Sequence, residues 1–188
     1  NQMIRNFLFA LQFLTIIPVK ISHIEETKLA NSLIFFPLVG LLLGLILAGV
    51  NSILPILSFE QFPINVILII LLIILTGGIH LDGLADTVDA LLSRKDKEEM
   101  LRIMRDSHIG VMGVLSLISI ILLKIAFFTC AGIPLKTISL LLMCILSRWS
   151  LVLTMFLFPY ARQEGKAKVF MKGINFKMLA LSTIIALV

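Results

Sequence analysis

Apolar residues come in long blocks along this chain. Runs at residues 32–50, 64–80, 109–131 and 137–158 are almost free of charge, and a fifth starts near Phe176. Each of the first four falls within the ~17–25 residues that carry a helix across a bilayer. The stretch from Phe7 to Val19 is apolar too, but about a dozen residues is short for a span. A polar linker follows Lys20 and no small-residue cleavage site is visible. The pattern therefore predicts a re-entrant or interfacial helix there, with a cleaved signal segment as the weaker reading.

The pattern changes abruptly at Gly77–Leu92, GGIHLDGLADTVDALL. On a helix advancing about 100° per residue, Asp86 falls about 40° from Asp82 and Asp89 about 20° to its other side. Leu84, Val88, Leu91 and Leu92 lie opposite, so the segment is an amphipathic helix with an acidic stripe. Like charges at i, i+4 repel, which suggests a divalent cation between the acids. An oxygen-only ligand set favours a hard ion such as Mg²⁺, which keeps waters and bridges to phosphates. The plain alternative is a solvated acidic face.

Composition agrees with the span count. The chain is 59% apolar and 14% charged, with a mean hydropathy of +1.09, far from an ordinary globular domain. The expected fold is an all-α polytopic membrane protein, a bundle of transmembrane helices with a cytoplasmic helical hairpin carrying the acidic motif. Residues 1–188 read as one membrane-embedded domain. The chain starts at Asn1 and is still apolar at Val188, so a fragment lacking its C-terminal spans is expected. After Leu92, Ser93-Arg94-Lys95 makes a turn, and Asp96 with Glu99 fits a capping box. A second short helix from Lys97 to about Arg105 completes the hairpin, returning Asp106 and His108 towards Gly77–Asp82.

Lys and Arg set the orientation. Thirteen of them lie before the first span, in the hairpin loop, or between the fourth and fifth spans, whereas the two intervening loops carry Lys136 alone. The three basic regions, and the acidic stripe with them, are therefore expected to face the cytoplasm. The same asymmetry explains the net charge of +5 without nucleic acid as a partner. Cys130 and Cys144 have no metal-type spacing and read as packing residues. Lys124 is near enough to the outer end of its span to snorkel. Arg148 lies mid-span, where a charge costs ~2.5–3.5 kcal/mol on insertion scales, so it is expected to line a polar cavity and pair with an acid or a substrate phosphate. His80, about 160° from Asp82 on the helix, is expected to pack or support from behind. Gly77, Gly78 and Gly83 permit close backbone approach or helix packing.

Several blocks together resemble one family. FLFALQFLTIIPV, FFPLVGLLLG, the central GGIHLDGLADTVDALLSRKDKEEMLRIMRDSHIGVMG, then SRW and PYARQEG, are similar to cobalamin synthase, the adenosylcobinamide-GDP ribazoletransferase family. The chain departs from the family at ARQEGKAK, where Pro is commoner at position 163 and a further Gly is usual. The resemblance implies Mg²⁺-dependent transfer from adenosylcobinamide-GDP to α-ribazole or its 5′-phosphate, with GMP released, in the cytoplasmic membrane. A metal on diphosphate oxygens and cationic donors suit that chemistry. Asp82 and Asp86 are the first expected metal ligands, Asp89 a ligand or a base, and Asp106 a ligand supplied by the hairpin. Arg148, Arg162, Lys166 and Arg105 are expected to bind substrate phosphates. The expected partners are the two substrates and the bilayer, with a homo-oligomer left open. A secondary transporter with a cytoplasm-facing acidic cation site is the alternative, though no inverted repeat is visible.

Overall fold

Two consecutive glycines break the second apolar run. In the structure, a computed structural model describing residues 2–19, 26–161, 165, 168–171 and 173–187, helix α3 (Gln61–Thr76) stops at Gly77 and Gly78, with φ of 61° and 68°. Their N–H groups donate to Ile74 and Ile73 carbonyls at 3.0 Å each, closing the helix end. Left-handed backbone at two successive positions is open to glycine at little cost. Helix α4 (Ile79–Leu92) then leaves at 90° to α3. The expected 64–80 span thus ends four residues early. These glycines serve backbone conformation, and Gly83 has open space around it where close approach was expected.

The other helices are α1 (Gln2–Leu14), α2 (Phe36–Ile53), α5 (Lys97–Ile103), α6 (Val111–Cys130), α7 (Ile133–Leu157), α8 (Lys168–Met171) and α9 (Phe176–Leu187), with a 3₁₀ segment at Glu26–Phe35 leading into α2. Three helical stretches, 29–57, α6 and α7, are long and apolar enough to cross a membrane, and the bent pair α3–α4 makes a fourth if counted as one span. The chain is an integral multi-pass membrane protein. Much of α6 is apolar and outward-facing, with Leu115, Ile118, Leu122 and Phe127 exposed, as a surface meeting lipid should be. Helix α1 is 13 residues, about 20 Å at 1.5 Å per residue, short of the ~30 Å core. It buries one stripe, Asn6, Ala10, Leu11 and Leu14, against the 3₁₀ segment and α2.

The tightest pairing is α2 against α7. A Cβ at Gly40 would collide with the Cys144 carbonyl, and one at Gly44 would lie 2.9 Å from Leu141 Cα. Gly40-x-x-x-Gly44 is thus the small-residue seam that lets two membrane helices approach backbone to backbone. The spacing stands in the sequence and is the signal that points to this pair. At one end of the bundle, Lys136 corrects the reading of it as a loop residue. It sits in α7, fully buried, donating to Gln61 Oε1 and Asn65 Oδ1 at 2.7 Å each. Asn65 in turn donates to Thr129 at 3.0 Å, so α3, α6 and α7 are tied by one polar network away from the acidic motif. Phe13, Phe36 and Phe170 pack with ring centroids 4.5–6.0 Å apart, joining α1, α2 and α8.

Candidate active site

The acidic motif acquires its surroundings from the chain that follows it. Asp96 caps α5, its Oδ1 accepting from Glu99 N–H at 2.9 Å, as the capping-box spacing requires. Helix α5 is short and packs on α4, so the segment after it comes back beside the start of α4. A cavity of about 610 Å³ results, lined by Asp82 and Asp86 from α4, Arg105, Asp106 and His108 from that segment, and Leu117 from α6. Four of the expected site residues, Asp82, Asp86, Asp106 and Arg105, are therefore brought together.

Asp89 is not among them. It points at the start of α6, where Oδ2 accepts from Gly110 N–H and Oδ1 from Gly113 N–H, each at 2.7 Å. An anion there is stabilised by two unpaired helical N–H groups and the positive end of the helix dipole. The glycines are part of this arrangement, since a Cβ at either would run into the carboxylate. The twenty or so residues between Asp89 and Gly110 hid the contact from a reading based on periodicity. Only the glycine pair in HIGVMG hinted at close approach.

Asp106 is also tied down. His108 Nδ1 lies 2.6 Å from its Oδ1, and the His108 backbone N–H donates to the same oxygen at 3.0 Å. These two hydrogen bonds hold the Asp106 carboxyl below its ordinary range. Arg102, one turn before Asp106, pairs with Glu99 at 3.0 Å.

Arg148 lies elsewhere. It is 3% exposed, and with His80 and Lys124 it lines a separate, smaller cavity between α3, α4, α6 and α7. No carboxylate reaches it there among the described residues, so the expected acid partner is not found. Lys124 does not simply snorkel, and His80 belongs with Arg148. Trp149, next in the SRW block, donates to Thr183 Oγ1 at 2.9 Å and ties α7 to α9. Arg162 and Lys166 lie outside the described residues.

The donors around the larger cavity are carboxylate oxygens, the hard type. Among the described residues, no three His, Cys, Asp or Glu side chains stand close enough to hold a metal ion unaided. That is compatible with the Mg²⁺ mode of one or two carboxylates completed by water and phosphate, and not with an all-protein cage.

The family model for cobalamin-5-phosphate synthase matches residues 6–188. The chain belongs to the cobalamin-5-phosphate synthase family. It is 38% identical over 176 residues to the adenosylcobinamide-GDP ribazoletransferase of Desulforamulus reducens, covering 94% of this chain and 70% of the relative. The identity is again 38% over 188 residues with the enzyme of that name from Geotalea daltonii, 99% of this chain and 75% of the relative. With that of Desulfitobacterium hafniense it is 42% over 168 residues, 86% and 65% respectively. No solved structure matches the chain. The acidic cavity is where the chain gathers carboxylates and a cation.

Proposed function

We propose that the cavity joining Asp82, Asp86, Arg105 and Asp106 is the active site of a nucleotide-loop transferase. The chain acts as a transferase of the cobalamin-5-phosphate synthase family, joining adenosylcobinamide-GDP to α-ribazole or its 5′-phosphate. One observation carries the placement: acids from α4 and an acid and a cation from the far end of the hairpin line a single cavity.

A ribose hydroxyl attacks the phosphorus attached to cobinamide. A new P–O bond forms as the bond from that phosphorus to the GMP oxygen breaks, and the hydroxyl proton passes to a carboxylate of the cavity. Arg105 faces the charge that develops on departing GMP. One or two of Asp82, Asp86 and Asp106 would hold Mg²⁺, with water and substrate oxygens completing its shell, and the ion would supply charge neutralisation at the diphosphate when bound. The hydrogen bonds to Asp106 keep it ionised and so suited to a cation rather than to accepting the proton. Asp89, outside the cavity with both oxygens engaged, is a positioning residue that docks α4 on α6. The cavity opens to the cytoplasm, as the distribution of Lys and Arg supports, and the membrane is the cytoplasmic membrane, as the family resemblance implies.

Purified protein in lipid should release GMP from adenosylcobinamide-GDP only with Mg²⁺ and acceptor present. Asp82→Asn and Asp86→Asn remove anionic ligands at constant shape and should abolish turnover with the melting temperature unchanged. Activity within a few-fold of the parent would remove these residues from the site.

A further inference from the structure

The cavity between α3, α4, α6 and α7 has a volume of about 130 Å³ and is lined chiefly by apolar side chains. Into it project three basic groups, Arg148, Lys124 and His80, and among the described residues no carboxylate lines it. Arg148 is 97% buried; Nη1 donates to Ser147 Oγ at 2.8 Å, while Nε and Nη2 are buried with no hydrogen-bond partner among the described residues. A guanidinium is always charged and carries five N–H donors, and orphaned buried donors are rare in folded chains. Two cations and an imidazole in apolar surroundings, without an anion, repel one another and lack compensation. The missing component is an anion.

Size and donor geometry restrict what that anion can be. The volume admits a group the size of a phosphate. The planar Arg148 edge and the Lys124 ammonium suit a doubly charged group with several oxygens, as a phosphate monoester is near neutral pH. The cavity also adjoins the acidic one. Leu81 lines the first and Asp82 the second, and on α6 Ile121 and Leu117 line them one helical turn apart, a separation of about 5–6 Å.

We propose that Arg148, Lys124 and His80 form a phosphate-monoester site inside the bundle, distinct from the acidic cavity and one turn from it. Two sources carry such a group: a phosphorylated acceptor, whose 5′-phosphate would sit here while its ribose hydroxyl reaches the acidic cavity, or a phosphomonoester lipid. Only the acceptor arm rests on the active-site reading above.

The test uses the whole chain in phosphatidylcholine nanodiscs, with inorganic phosphate as probe and chloride at equal ionic strength as control. Phosphate should raise the melting temperature of the parent. It should do the same for Asp82→Asn, which separates this site from failure of the transferase reading, and should not do so for Lys124→Met. Lys124 lies at the half-buried side of the cavity, so this variant serves should Arg148→Ala fail to fold. If the acceptor is the source, α-ribazole 5′-phosphate removes the phosphate-dependent shift and α-ribazole does not. Lys124→Met then lowers the ratio of kcat/KM for the phosphorylated over the unphosphorylated acceptor at least tenfold. If a lipid is the source, a few mole per cent of phosphatidic acid removes the shift instead. A phosphate shift shared by Lys124→Met, absent from the parent, or reduced by neither competitor overturns the proposal.

Discussion

Replacing Asp89 separates a structural anchor from a reacting group. Its two oxygens accept charge-assisted hydrogen bonds from Gly110 and Gly113 N–H at 2.7 Å each. Such bonds contribute ~1.5–3 kcal/mol apiece, and an anion at a helix N-terminus a further ~0.3–1 kcal/mol. Asp89 is only half-buried, so the lower figures apply, and Asp89→Ala should cost about 3 kcal/mol. Asp89→Asn keeps one acceptor oxygen but turns an amide N–H₂ towards a backbone donor, for about 2 kcal/mol. At ~2–4 °C per kcal/mol for a chain of this size, Ala lowers the melting temperature by about 6–12 °C and Asn by about 4–8 °C. Circular dichroism melts in one detergent measure both. Gly113→Ala should fall in the same range, because its Cβ displaces the same carboxylate and sits 3.1 Å from the Ala85 carbonyl. Combined with Asp89→Ala it should add little, since both remove one contact. A melting temperature within about 2 °C of the parent for Asp89→Ala would refute the anchor. Full stability with no turnover would return Asp89 to the reacting groups.

Three further outcomes are expected. Gly40→Ala drives a methyl into the α7 backbone, and overpacking of this kind costs ~1–3 kcal/mol or more; an unchanged melting temperature would refute the α2–α7 seam. Asp106 has a folded-state pKa below its ordinary value because of His108, so its contribution to stability is present above the ordinary carboxylate pKa and is lost as pH falls through the depressed value. His108→Ala should therefore move the Asp106 titration, followed by carboxyl NMR in metal-free protein, to higher pH, and an unmoved curve would refute the pairing. Cysteine labels at Lys97 should react only from the cytoplasm and at Glu60 only from outside, and labelling of position 97 from outside would reverse the topology.

The sequence alone determined that the chain is a helical membrane protein, because lipid demands long apolar blocks and allows helices to satisfy their own backbone. It determined that Asp82 and Asp86 share a face, since one turn of helix relates them, and that α5 begins after Asp96, because a capping box is a local i, i+3 pattern. It marked Arg148 as purposeful, because charge within an apolar run is costly. Tertiary structure alone decided the 90° turn at Gly77–Gly78, because two glycines permit a bend without dictating its direction. It also decided that Asp89 leaves the stripe for the N-terminus of α6, a contact across some twenty residues that no local period encodes. Lys124 and His80 joined Arg148 for the same reason: three separate helices converge on one cavity, and only their packing says which residues face it.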